Sequence, residues 1–311
     1  MNTTITNNYT AIENTGNLVV KDNLNITGYQ DGITNSGSLT LGDNDDQIKN
    51  DINIDVKNCS INSTNKFYYY DGILKGKKDE NLYAILTDVP NGADINVTFD
   101  QDIETISLVN IDEKDYVAQI GDNKYRSLQE AFDSINNNDE TKITIINDIY
   151  TVLNSNNTEN KNAIVDFNGH KFRSYKNTFI TNNGSLKIIN SGEKITSQTF
   201  ENSLINNTGD LTLDNIALNN IIKTNLITNN GTMTINNSGF NVPELNTSIS
   251  GYNDFIKSKV VINDGILTVN QSEFSILTTY NNNKEYNDVI KNTGTLNFNS
   301  GKIYCKEETL N

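Results

Sequence analysis

Apolar residues recur at every second position through most of this chain, in short runs broken at regular distances by asparagine and glycine. The recurring unit has ten positions: apolar, Ile or Val, any, Asn, any, Gly, any, Leu or Met, any, apolar. It reads AIENTGNLVV at 11–20, GITNSGSLTL at 32–41 (with glycine in the first slot) and FITNNGSLKI at 179–188. It returns as LINNTGDLTL at 204–213, LITNNGTMTI at 226–235, VVINDGILTV at 260–269 and VIKNTGTLNF at 289–298. The glycines are Gly16, Gly37, Gly184, Gly209, Gly231, Gly265 and Gly294. Within each cluster they stand 21 to 34 residues apart, the length of one coil of a β-solenoid.

Each copy predicts two short strands meeting at a corner. An apolar pair such as Leu204-Ile205 precedes it, and period-two alternation follows, with Leu211 and Leu213 inward and Asp210 and Thr212 outward. The corner glycines are expected to supply a positive φ. Stacking the coils brings Asn182, Asn207, Asn229 and Asn263 into register, so that their amides bond in a ladder as in other stacked β structures. It also places Leu186, Leu211, Met233, Leu267 and Leu296 in one interior column. No coil buries its apolar face alone; its neighbours supply the core. A helix is excluded by the spacing of two and by the repeated Asn-x-Gly.

The copies cluster at the two ends of the chain, which predicts two blocks. Residues 1–111 form the last coils of a first solenoid, with FYYYDGILKG (67–76) closing it. Residues 81–99 resemble a hairpin turning at Pro90-Asn91-Gly92, and 102–111 a further strand. Residues 112–311 form a second solenoid that opens with a short capping helix over 127–135. Ser127 and Glu130 suit a capping box there, and Leu128, Ala131, Phe132 and Ile135 give one apolar stripe to lay across the open end. The fold expected is all-β, a right-handed parallel β-helix in two blocks with one capping helix.

Composition explains the corners and removes some functions. Of 311 residues, 57 are asparagine, which the ladder accounts for better than a binding role. Lys plus Arg number 24 against 39 Asp plus Glu, a net charge of -15 with no basic run, which argues against nucleic acid and anionic membranes as partners. No apolar stretch is long enough to insert in a bilayer. The start, MNTTITNNYT, has neither the charged nor the apolar region of a signal peptide.

Little of the inventory suits catalysis. His170, the single histidine, reads as a corner residue in Asn168-Gly169-His170-Lys171, and Arg126 and Arg173 are the two arginines. Asp43, Asp45 and Asp46 read as a solvated acidic turn, because the segment lacks the glycine and terminal glutamate of a calcium loop. Cys59 and Cys305 fall in different blocks and are not expected to bridge. No catalytic residue, metal site or cofactor is therefore predicted. Coil length grows after Gly231 and Gly265, and extra residues in solenoids leave as side loops, often on the binding face. This makes Phe240, Tyr252, Tyr280 and Tyr286 candidate ligand contacts. Tyr68 and Tyr70 join them, because alternation in Phe67-Tyr68-Tyr69-Tyr70 puts two tyrosines on one face.

The Asn-x-Gly-x-Leu-x-apolar coils, YVAQIGDNKYRSLQEAF and IVDFNGHKF together resemble the large parallel β-helix repeat surface proteins of Firmicutes and related low-GC bacteria, whose fold is pectate-lyase-like. The resemblance implies a segment of a longer secreted or wall-attached protein. Its implied function is a noncatalytic stalk or adhesin that meets a host or cell-wall glycan or a surface protein; the sequence leaves the oligomeric state open, with a monomer favoured. Two alternatives accompany the fold: a polysaccharide lyase or glycoside hydrolase, and a phage tail-spike segment. Pectin hydrolases of this fold use Gly-His-Gly with an Arg-Ile-Lys. Here lysine follows His170 and no Arg-Ile-Lys exists.

Overall fold

The computed structural model describes residues 3–6, 9–45, 47–78, 80–136, 139–151, 156–174, 178–191, 195–197, 203–220, 225–242, 259–279 and 288–308. It divides into two compact units, Met1–Lys114 with Tyr150–Leu153, and Asp115–Ile149 with Asn154–Asn311. Both are built from parallel strands stacked coil upon coil, a β-solenoid.

In the second unit each coil supplies one strand to each of three sheets. Strands before the corner, such as Ile180–Asn182, Ile205–Asn207 and Ile227–Asn229, form a leading sheet. Strands after it, from Asn162–Asp166 through Ser185–Ile189, Asp210–Asp214, Thr232–Asn236 and Ile266–Asn270 to Thr295–Phe298, form a middle sheet. A trailing sheet runs from Phe172–Ser174 to Gly301–Glu308. Leu186, Leu211, Met233, Leu267 and Leu296 pair in strict register down the middle sheet, as the alternation predicts. All but the last are buried.

The asparagine ladder forms. Asn182 Nδ2 donates to Asn207 Oδ1 at 2.8 Å, Asn207 to Asn229 at 2.7 Å, Asn229 to Asn263 at 2.6 Å and Asn263 to Asn292 at 2.6 Å. Each amide also donates to its own corner glycine's carbonyl and to a backbone carbonyl of the next coil, as Asn207 does to Gly209 and Thr232. Thr158 heads the row, its hydroxyl on Asn182 Oδ1 at 3.0 Å. The first unit carries a shorter row, Asn14 to Asn35 to the Ser63 hydroxyl.

The corner glycines sit where the repeat placed them, but not for the expected reason. None of the seven has φ in the left-handed region. Glycine is required by stacking instead. The carbonyl of each corner accepts the N–H just after the next corner: Gly184 from Asp210 at 2.8 Å, Gly209 from Thr232 at 3.0 Å, Gly231 from Ile266 at 2.9 Å. A Cβ on Gly209, Gly231, Gly265 or Gly294 would lie inside the radius of the preceding glycine's oxygen. Left-handed residues recur instead at the second corner, where Asn190, Asn215, Asn237 and Gln271 have φ between 49° and 57°.

The cap also forms, in modified shape. Helix α1 spans Leu128–Asp133, shorter than the stripe suggested, with Ser127 Oγ accepting the Glu130 N–H at 3.1 Å. The Glu130 carboxylate accepts from Arg126 N rather than from the cap residue itself. Leu128, Ala131, Phe132 and Ile135 are all buried. Gln129 meets the edge of the first leading strand with both amide atoms, accepting from Asn157 N at 2.6 Å and donating to Asn157 O at 3.2 Å. A hairpin, Ala118–Ile120 with Asn123–Tyr125, pairs antiparallel to Thr141–Ile145 and covers the edge of the middle sheet.

In the first unit the expected hairpin over 81–99 does not exist. Leu82–Asp88 pairs parallel with Ile61–Tyr69 in one sheet. Ala93–Asp100 lies in the other and pairs antiparallel with Ile103–Asn110, which in turn pairs antiparallel with Ile73–Lys77. The turn at 90–92 carries the chain between sheets, because Leu82, Ala84 and Leu86 bury as one more coil strand would.

Replacing Asn229 by alanine removes a central rung and leaves buried amide groups short of partners. We expect a loss on the order of 2–4 kcal/mol in urea denaturation, and a much smaller loss for Asn292→Ala on the exposed last rung. Equal losses would mean that the ladder adds nothing beyond side-chain volume. Leu128→Asp with Phe132→Asp should abolish cooperative melting or lower stability by roughly 5 kcal/mol or more, since it plants two charges in the buried seam of the cap.

Candidate functional site

The described residues that best resemble a contact surface lie on the first unit, around the strand Ile61–Tyr69. Alternation resolves the aromatic run one way. Phe67 and Tyr69 point inward and stack at 5.6 Å between ring centroids. The Tyr69 hydroxyl reaches the core and donates to Gly72 O at 2.7 Å. Tyr68 and Tyr70 share the opposite face with centroids 6.2 Å apart. Strand register sets Val19, Thr40 and Tyr68 side by side, with Asp88 flanking Tyr68.

Tyr70 is the more constrained of the pair. Only 8% of it is exposed, and its hydroxyl donates to Asp88 Oδ2 at 3.1 Å. Burial, followed by that bond to a carboxylate, pushes its phenol up from 10.0 to about 12. Asp88 Oδ1 accepts Val89 N–H at 3.1 Å, which orients the carboxylate. The face thus offers a half-buried ring at Tyr68, a carboxylate held by Tyr70, a hydroxyl at Thr40 and the exposed Val19. An aromatic platform beside fixed acceptors suits a neutral sugar or a peptide edge.

Phe240 is a correction. It lies in the trailing strand Gly239–Val242, 2% exposed, and stacks on Phe274 at 5.1 Å. It is core, because the trailing strand extends further along the chain than the repeat alone suggests. Tyr252, Tyr280 and Tyr286 lie outside the described residues. The corner glycines serve the stack, as shown above.

The remaining candidates scatter. His170 Nδ1 meets Asp148 Oδ1 at 3.2 Å, and the same oxygen accepts Lys171 N–H at 2.9 Å, which fixes a turn. Asp43 pairs with Lys21 at 3.3 Å and Asp45 with Lys49 at 2.5 Å, while Asp46 lies outside the described residues. Among the described residues no three His, Cys, Asp or Glu side chains gather as a metal site. Burial pushes the Cys59 thiol well above its usual range, and the sulfur sits 3.1 Å from Ile61 O, so it fills a core slot. Arg126 lies over the Tyr116 ring at 4.6 Å, and Arg173 is buried.

Two structural roles escaped the repeat analysis. Asp71 is buried and accepts N–H groups from Lys49, Asn50 and Asp51 at 3.0, 2.5 and 2.9 Å, fastening an irregular stretch to the solenoid. Asn190, Asn215, Asn237 and Gln271 turn the second corner. All four stand six residues after a corner glycine, a regularity visible in the sequence once it is sought.

No protein-family model, curated protein or solved structure matches this chain. What the geometry defines is a class, the parallel β-solenoids, whose members share an architecture and not an activity.

Tyr70 should remain protonated at pH about 11, where an exposed tyrosine ionises, and give a late component in the ultraviolet phenolate titration. Tyr70→Phe should remove that component, and Asp88→Asn should move it back toward the ordinary value. A titration unchanged by both variants would detach Tyr70 from Asp88.

Proposed function

We propose that this chain is a noncatalytic segment of a larger bacterial cell-surface repeat protein, a stiff stalk that presents contact surfaces to glycans or to other proteins. One observation carries the reading: the rungs from Asn182 to Asn292 stack without a break, each bonded to the next side chain and backbone. Such a stack resists bending, and it spends the residue supply on structure instead of on convergent acids and bases. The contact surfaces proposed are the Tyr68–Tyr70–Asp88 face and the segments 243–258 and 280–287, which hold Tyr252, Tyr280 and Tyr286. Both segments join a trailing strand to the next leading strand, so their length varies without disturbing the stack. Export to the cell surface belongs to the same proposal.

The His170–Asp148 pair favours the second reading, a carbohydrate-active enzyme, because an imidazole beside a carboxylate is a recurrent general base. Two measurements separate the readings. Incubation with polygalacturonate, alginate, chondroitin or hyaluronan, with and without calcium, should release no unsaturated or reducing ends. Turnover that disappears in Asp148→Asn would replace the stalk by the enzyme. On a glycan array, binding should fall when Tyr68→Ala is combined with deletion of 244–256, while melting stays near that of the parent. Binding that survives both changes would put the contact elsewhere.

A further inference from the structure

We propose that the face around Tyr68 binds one neutral pyranose, its ring stacked on Tyr68 and two adjacent hydroxyls donating to Asp88. This rests on the contact-presenting role proposed above and assigns a ligand class to one of its surfaces.

A bulge builds this face. Along Leu82–Asp88 the register shifts after Leu86: Leu86 pairs with Phe67, and Asp88, not Thr87, pairs with Tyr68. Without the extra residue Asp88 would stand opposite Tyr69, whose side chain is buried in the core. The bulge turns the carboxylate out to the side of Tyr68 and Tyr70 instead, as bulges re-aim side chains elsewhere. It also leaves Thr87 Oγ1 buried, with no hydrogen-bond partner among the described residues. A buried hydroxyl without a partner costs stability, and the extra residue adds no pairing to the strand. What the bulge delivers is Asp88.

That carboxylate is held in place but only half used. Oδ2 accepts the Tyr70 hydroxyl and Oδ1 the Val89 N–H, both at 3.1 Å. Each oxygen keeps acceptor capacity, which suits two neighbouring hydroxyls of one sugar ring. Tyr70, 8% exposed, serves as the brace, so Tyr68 is the platform of the pair. Strand register places Thr40 on one side of Tyr68 and Asp88 on the other, each about 4.8 Å away. Lys66, exposed, stands two residues before Tyr68 on the same face. The ring therefore has an acceptor on one flank, a hydroxyl on the other and an ammonium donor at its end, all within reach of a single pyranose.

Other occupants fit less well. A peptide added as a strand needs a free edge, and Ile61–Tyr69 is paired on both sides. An acidic sugar would set its carboxylate against Asp88, on a chain of net charge -15. An organic cation would meet the positive charge that Lys66 already places beside the ring.

Saturation-transfer NMR on the intact chain tests this with the methyl glycosides of glucose, galactose and mannose as probes. Methyl glucuronide is the anionic control and Nα-acetyl-lysine amide the cationic one. We expect at least one neutral glycoside to bind in about the millimolar range, and both charged probes to bind at least about tenfold more weakly. Tyr68→Ala and Asp88→Asn should each weaken the neutral glycoside about tenfold, with melting near that of the parent because neither side chain belongs to the core. Absence of neutral-glycoside binding, a charged probe that binds as tightly, or binding indifferent to both variants would overturn the subsite. In that last case the contact-presenting role stands, with its surface elsewhere on the chain. Polysaccharide turnover that disappears in Asp148→Asn would remove the stalk reading whatever Tyr68 binds.

Discussion

The whole architecture depends on one close approach, the passage of each corner's backbone over the carbonyl of the corner before it. The N–H that follows a corner glycine bonds to the glycine carbonyl one coil earlier, and that bond sets the distance between coils along the stack. At that distance there is no room for a methyl group on Gly37, Gly184, Gly209, Gly231, Gly265 or Gly294, so these six corners can only be glycine. Fixing the corner fixes the register of the strands on either side, and register decides which face of each strand is buried. The interior column of Leu186, Leu211, Met233 and Leu267 follows from it.

The asparagine ladder is a second consequence of the same spacing. Each inner amide donates toward the following coil and reaches backbone carbonyls both in its own coil and in the next. Those carbonyls are acceptors only, which fixes the orientation of every amide in the row. The outer row at the second corner runs the other way: Asn270 Nδ2 donates back to Asn236 and Asn299 back to Asn270, at 2.8 and 2.9 Å. The side-chain dipoles of the two rows therefore oppose each other along the stack. Both rows are built from the commonest residue in the chain, and they leave the edges and outward faces of the stack to other positions.

Those positions follow the logic of edges and faces. The first coil of the second unit is finished by Gln129, which bonds to the backbone of Asn157, and by the hairpin that covers Thr141–Ile145. Where the coil is closed in this way, Lys161 replaces glycine at the corner. Tyr68 and Tyr70 bring their rings together at the end of the strand Ile61–Tyr69, which is paired on both sides.

The sequence by itself determined what is local and repeated. Period-two alternation and Asn-x-Gly are properties of ten consecutive residues, so they specified the solenoid, the ladder and the interior column, and the Ser127–Glu130 pair specified the helix start. Only the tertiary structure decided what depends on distant neighbours. The reason for the corner glycines lies in the preceding coil and not in their own φ. Leu82–Asp88 joins Ile61–Tyr69 instead of folding back on Ala93–Asp100, because an apolar strand face gains more by covering the core than by a local turn. Phe240 turns inward for the same reason, its place set by Phe274 in the coil after it. The Tyr70–Asp88 bond joins residues 18 apart in sequence, and no spacing rule announces it. Stacked folds make strands legible from sequence because each coil repeats its own pattern, and they hide their contacts because every contact is made with another coil.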